Sequence, residues 1–292
     1  MDIPDVKDIM RLLKITQQTV WKDKEITIPV IEQWLSNFTG EVFDVDKERH
    51  IALWLLLNFC YYSDKEVSHL ANEVFNNFRK KIISEGKDFT DYLSKVKFSL
   101  LGSPSESSGL ILYYFRQQNR LSKKYFDTVK EIIATNAEEI IFVDDVSLTG
   151  SQLVKYTKEA KKHGVNLKFR LLTLIATERA KKACKDNDIE LTSAIFLREN
   201  DNIFSRKSFL FRGDEPLKLD VLNFCNHYGL KAKPDMPLGF GNASNLLGFF
   251  YNTPDNTLPI FWSEINGWKP IFKRFDKKYT DNYKIEDYDI YI

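Results

Sequence analysis

The sequence predicts an α/β fold: a parallel sheet flanked by helices, with a helical region in front of it. Three observations carry this. Residues 1 to about 90 place apolar side chains at helical spacing between capping residues. From about residue 98, short apolar runs alternate with helical patterns, which argues for parallel strands joined by right-handed crossovers. One of those runs, Ile140-Ile141-Phe142-Val143, is apolar at every position, as a strand buried on both faces must be. On this reading the chain divides into a helical region (1–92), an α/β core (93–270) and a tail (271–292).

The helical region reads in four pieces. Asp5–Ile15 puts Val6, Ile9, Met10 and Leu13 on one face. Pro29 suits a first turn, and the helix behind it runs to about Phe38 with Ile31, Trp34 and Leu35 on its apolar side. Asp46 is placed to cap Lys47–Tyr61, whose centre, Ile51–Leu57, is apolar nearly all round and so belongs inside. Ser63 caps a helix to about Ser84, with Glu66 in its first turn and Arg79, Lys80 and Lys81 near its end, as the helix dipole favours. That basic run reads as a solvated helix end.

In the core, Phe98–Leu101 is a short strand and Leu110–Asn119 a helix, with the small-residue loop Gly102–Gly109 between them. Small residues let a backbone approach an anion, and Ser107 or Ser108 would cap the helix and leave N–H groups facing outward. Arg116 and Arg120, one turn apart, could share an anion or be solvated. Phe126–Ala134 is a helix leading into Ile140–Val143. Gln152–His163 (ended by Gly164), Leu167–Ala176, Thr177–Asn187 and Ile189–Ile195 then read as helix, strand, helix, strand. Phe204–Arg212 is aromatic and basic. It suits a stacked base or local packing, and its few basic residues favour packing. Pro216–Tyr228 is a helix stopped by Gly229. Gly239–Asn242 is a tight turn, Leu246–Tyr251 a strand, and Asn252–Thr257 a polar structured loop. From Asp276 the tail is exposed or edge structure.

The chemistry concentrates just after Val143. Asp144 and Asp145 stand where a parallel strand ends, the edge at which open α/β sheets bind ligands. Their oxygens accept from the hydroxyls of a sugar. The Ser147–Ser151 loop can turn several N–H groups inward, and the helix behind adds its positive end, which makes a phosphate cradle. Acids for a sugar beside a cradle for a phosphate describe a ribose 5-phosphate site.

Composition narrows the classes. A net charge of +1 gives no global field for nucleic acid or membrane. Cys60, Cys184 and Cys225 lie far apart, show no metal spacing and read as free thiols of a cytoplasmic protein. The four histidines form no ligand pattern, so no protein-held metal is expected. The acidic start, Met1–Asp5, is unlike a signal peptide, and no apolar run approaches the ~20 residues that span a bilayer.

The stretch from Ile140 to Ser151 resembles the phosphoribosyl diphosphate (PRPP) signature of type I phosphoribosyltransferases. The signature is an apolar strand, Asp-Asp, a short spacer, Gly, then small or hydroxyl residues. The resemblance implies a sheet of that kind, with Asp144 and Asp145 on the ribose hydroxyls. It implies that Ser147, Leu148, Thr149, Gly150 and Ser151 wrap the 5-phosphate, and that Ser107, Ser108 and Gly109 meet the diphosphate. Gln152 departs from the pattern, because the family often carries Thr there.

A wider set of motifs joins it: Trp34-Leu35, Ser107-Ser108-Gly109, Val143–Ser151, Pro237–Asn242 and Asn252–Trp262. Together they resemble the phosphoribosyltransferase-like effectors of bacterial conflict systems, including retron defence cassettes, from about Glu32 to Trp262. That likeness implies PRPP or a nucleotide as ligand, action at ribose C1, substrate-bound Mg²⁺ and a role in antiphage defence. It also implies a retron reverse transcriptase with its RNA–DNA hybrid, and a winged-helix protein, as partners. The alternative is a catalytically inactive nucleotide-sensing or partner-binding module of a defence complex.

Overall fold

A computed structural model describes residues 3–22, 24, 26–102, 107–162 and 165–275. The expected helix stop at Gly164, the middle of the 102–109 loop and the tail from Asp276 lie outside these residues.

The helical front follows its capping residues. Helix α1 (Val6–Thr19) starts at Asp5, whose carboxylate accepts from the Lys7 N–H, and it buries Ile9 and Leu13. Helix α2 (Ile28–Leu35) carries Pro29 in its first turn and buries Ile31 and Trp34. Helix α3 (Val45–Leu57) is capped by Asp44 rather than Asp46: Asp44 Oδ1 lies 2.9 Å from the Lys47 nitrogen. Asp46 falls in the first turn, where its charge still suits the dipole. Ile51–Leu56 is buried throughout, as an all-round apolar helix requires. A strand the sequence did not suggest follows, β1 (Cys60–Tyr62). Helix α4 (Asp64–Ser84) opens with a reciprocal capping box between Ser63 and Glu66.

Helix α5 (Phe89–Ser94) and strand β2 (Val96–Leu100) begin the repeating part. Then come α6 (Ser107–Gln118), α7 (Val129–Ile133), β3 (Glu139–Ser147), α8 (Ser151–Lys162), β4 (Lys168–Thr177), α9 (Glu178–Lys185) and β5 (Ile189–Leu197). Helix α10 (Glu215–Ala232) and strand β6 (Leu247–Phe249) complete the set. α10 runs past Gly229 instead of stopping there. The glycine is required by packing: a Cβ at 229 would lie 2.0 Å from the Pro237 carbonyl oxygen.

β2-β3-β4-β5 form a four-stranded sheet in that order, parallel throughout. Helices α4 and α6 cover one face of it. Helices α7, α8 and α9 cover the other. β1 and β6 pair in a separate parallel two-stranded sheet, Cys60 opposite Leu247. A third core gathers α1, α2 and α3 with α10 and the segment from Leu258 to Phe272. At its centre the indoles of Trp34 and Trp268 both donate to the Ile260 carbonyl, at 2.7 and 3.0 Å. Phe204 stacks on Phe211 and Phe211 packs on Trp54, so the aromatic and basic stretch 204–212 serves this packing. Among the described residues no helix is long and apolar enough to cross a membrane.

Candidate functional site

A cavity of about 740 Å³ opens at the carboxyl edge of the four-stranded sheet, over β3. Asp144 and Asp145 both line it, each about 8% exposed. Successive residues of a regular strand point to opposite faces. Two adjacent acids therefore need a break in the alternation to share one cavity.

The strands show that break. Ile141 and Val143 face the α4/α6 side and Ile140 and Phe142 the other. Alternation would place Val146 with Ile140 and Phe142, yet it packs on the α4/α6 side. β4 shifts at the same level, with Leu174 and Ile175 successively on the α4/α6 side and Ala176 on the other. β5 shifts too, at Ala194 and Ile195. The Cα pairs step from Asp144–Thr173 to Val146–Ile175, and from Thr173–Ser193 to Ile175–Ile195. Short polar side chains make local hydrogen bonds there. The Asp145 N–H donates to Asp144 Oδ1 (3.0 Å) and the Val146 N–H to Asp145 Oδ1 (2.7 Å). Thr173 Oγ1 donates to the Ile175 carbonyl (3.2 Å) and Ser193 Oγ to that of Ile195 (2.7 Å). Three strands thus change phase together, a bulge-like kink of the kind often found beside binding sites.

The loop after β3 forms the next wall. Ser147, Leu148, Thr149, Gly150 and Ser151 all line the cavity. Thr177, at the end of β4, donates to the Leu148 carbonyl (2.7 Å) and ties the loop down. Gly150 takes φ +70, and a Cβ there would come within 3.1 Å of the Ala180 carbonyl. Its own carbonyl accepts from the Val154 N–H (3.1 Å), so α8 starts immediately. The N–H groups of Gln152 and Leu153 have no partner among the described residues, and both residues line the cavity. Thr149 Oγ1 and Ser151 Oγ lie 2.7 Å apart. Lys155, one turn into α8, adds a cation. Free amides, hydroxyls and a helix N-terminus together suit an anion.

Of the three residues read for the diphosphate, Ser107 lines the cavity. Ser108 instead turns inward and donates to the Leu101 carbonyl (2.8 Å). Gly109 sits in the first turn of α6 and does not line the cavity. Arg116 and Arg120 lie away from it as well; Arg120 follows the helix end with φ +51.

The far wall was not assigned from the sequence. It comprises Phe240, Asn252, Pro254, Asp255, Asn256, Arg274 and Phe275. Arg274 holds the 252–256 loop by donating to the Thr253 carbonyl (2.7 Å) and to Asp255 Oδ2 (3.3 Å). Tyr251, just before the loop, donates to Asp145 Oδ2 (3.1 Å). Burial pushes its phenol well above the usual range, and the charges of Asp145 and Asp144 add to that. It therefore remains a donor at neutral pH. The polar density of Asn252–Thr257 and the Pro237–Asn242 and Asn252–Trp262 motifs were the signals available for this wall.

The family model PRTase-CE matches residues 31–274. No curated protein matches the chain. Among solved structures, orotate phosphoribosyltransferase from Aeropyrum pernix is similar at 14% identity and a TM-score of 0.31, over 46% of this chain and 72% of that one. A hypothetical protein from Neisseria gonorrhoeae with bound ppGpp is similar at 11% identity and a TM-score of 0.34, over 48% of this chain and 85% of that one. With a match that runs from α2 to Arg274 and takes in every lining residue of the cavity except Phe275, the chain belongs to the PRTase-CE family.

Proposed function

We propose that the cavity binds the ribose 5-phosphate part of PRPP or of a nucleotide, and that the protein acts at ribose C1. One observation carries this: the acid pair and the 147–151 loop line the same cavity at the end of one strand. The carboxylates would accept from the 2- and 3-hydroxyls. The amides of Gln152 and Leu153 and the hydroxyls of Thr149 and Ser151 would hold the 5-phosphate. With both ends of the sugar fixed, the C1 bond to diphosphate or base breaks, and its electron pair leaves with that group. The sugar becomes oxocarbenium-like, and the nearby carboxylates stabilise its positive charge. A nucleophile then bonds to C1.

A Mg²⁺ ion would supply charge to a departing diphosphate. The residues fit an ion brought in by the substrate. Hard cations take oxygen ligands, and Asp144 and Asp145 offer carboxylates to one. Among the described residues no group of three or more His, Cys, Asp or Glu side chains could hold an ion by itself.

The placement in antiphage defence, held by a retron reverse transcriptase with its RNA–DNA hybrid and a winged-helix protein, rests on the resemblance of the Val143–Ser151 and Asn252–Trp262 motifs. One observation favours the second reading, a nucleotide-binding module without turnover. Both oxygens of Asp145 already accept protein hydrogen bonds, from the Val146 N–H and from Tyr251.

Incubation with PRPP, NAD⁺ and nucleotides, with and without Mg²⁺, separates the two readings. Release of diphosphate or free base that is lost in Asp144→Asn/Asp145→Asn supports the enzyme. Ligand-induced thermal protection without product supports the module.

A further inference from the structure

We infer that the outer face of α8 and α9 is a docking surface for the phosphate backbone of a nucleic-acid duplex. It gives the nucleic-acid partner named above a place on the molecule, but it rests on where the charges lie and is independent of the reading of the cavity. Helix α8 carries Lys155, Lys158, Lys161 and Lys162 against Glu159, and α9 carries Arg179, Lys181, Lys182 and Lys185 against Glu178. The pair therefore holds +6 within a chain of net +1, and the rest of the chain sums to −5. A protein that is almost neutral as a whole thus gathers a local positive field on one face.

The fold brings these cations together. α8 follows β3 and α9 follows β4, which are neighbouring parallel strands, so the two helices lie side by side over one face of the sheet. α8 buries Leu153 and Thr157, α9 buries Ala180 and Cys184, and all eight cations are exposed. Lys155, Lys158 and Lys162 fall at i, i+3 and i+7, which makes a stripe about 10 Å long. Its first member, Lys155, lines the cavity.

Much of this charge has no local counter-charge. Lys162 pairs with Glu159 (3.1 Å), Lys181 with Glu178 (3.5 Å) and Lys182 with Asp186. Lys155, Lys158, Lys161, Arg179 and Lys185 make no ion pair among the described residues. The face also carries no anchor of another kind, since no large hydrophobic side chain of α8 or α9 is among the exposed ones. Membrane-surface helices insert such side chains, protein hot spots bury them, and single-stranded nucleic acid stacks on aromatic ones. A duplex backbone needs only cations, because it presents one negative charge per about 1.7 Å of its axis.

The test is fluorescence anisotropy on the full chain, with a labelled RNA–DNA duplex, a DNA duplex and a single strand of the same sequence, at about 50 and about 200 mM salt. Cosedimentation with phosphatidylserine vesicles runs beside it. Two triple variants are compared: Lys158→Gln/Lys161→Gln/Lys185→Gln on the face, and Lys14→Gln/Lys65→Gln/Lys80→Gln, exposed residues of α1 and α4, as a control of equal charge. Thermal unfolding checks the fold of each. At least one duplex should bind, more tightly than the single strand and more weakly at high salt. The face variant should lose about tenfold or more at low salt and flatten the salt slope by about three, while the control stays within about twofold of the native chain. No duplex binding at low salt, an equal loss in the control, or tighter binding of the single strand overturns the proposal, as does capture by vesicles without duplex binding. Ribose 5-phosphate titrated by calorimetry bears on the cavity alone, so its failure to bind leaves the duplex result standing.

Discussion

Tyr251 donates its phenol to Asp145 Oδ2 across 3.1 Å, and this contact ties the far wall of the cavity to the acid pair. The ring is held independently, stacked on Phe249 with centroids 5.3 Å apart. Tyr251→Phe should therefore keep the fold and release one oxygen of a buried carboxylate. A hydrogen bond to a charged group contributes about 1.5–3 kcal/mol, so the variant should lose about that much stability. Burial and two neighbouring carboxylates keep the phenol protonated, so the gap to the native protein should stay flat from about pH 6 to about pH 9. Urea titrations across that range check it.

Gly150→Ala should damage the loop. Its φ of +70 disfavours any side chain, and the Ala180 carbonyl and Ala183 Cβ leave no room for one, at 3.1 and 3.3 Å. The expected cost is about 1–3 kcal/mol in denaturant unfolding, with ribose 5-phosphate binding reduced more than stability alone explains.

Gly229→Ala should reverse the usual sign. Inside an ordinary helix, alanine is better than glycine by about 1 kcal/mol. Here the new Cβ would sit 2.0 Å from a backbone oxygen of Pro237. Overpacking of about 1–3 kcal/mol should dominate, and the midpoint of urea unfolding should drop.

Glu48 supplies a pH signature. It is buried and accepts from the N–H groups of Gly40, Val42 and Phe43 and from the Tyr228 phenol. Burial alone would raise its pKa, but these donors outweigh it and the carboxyl is held below its ordinary value. A depressed pKa contributes stability at pH above the unfolded value, and loses it as pH falls through the folded one. Glu48→Gln should cost about 1–3 kcal/mol near neutral pH, and the gap to the native protein should narrow as pH falls below the usual glutamate range. Paired urea titrations at several pH values measure that gap.

Much of the layout was legible because it is written locally. Ser63 with Glu66, Pro29 and the apolar run before Asp144 each announce an element without help from distant residues. The alternation of strand and helix from residue 96 to 197 follows directly. Less legible was anything decided by remote packing. Gly229 reads as a stop signal in sequence, and only the approach of Pro237 explains a glycine inside α10. β1 was hidden because its partner, β6, lies far along the chain. The phase change at Asp145 left no trace, since a strand apolar on both faces carries no alternation to disturb. Likewise Ser107 and Ser108 look equivalent on paper, but only one of them faces the cavity.

The pairing of Cys60 with Leu247 has a kinetic meaning. Joining segments so far apart in the chain requires closing a very long loop, an entropic cost met late in folding. The strands between them can assemble beforehand from nearer neighbours. A polypeptide still emerging from the ribosome would thus hold Asp144, Asp145 and the 147–151 loop before Arg274 had been synthesised. The far wall would close over the cavity only once Arg274 had joined the 252–256 loop.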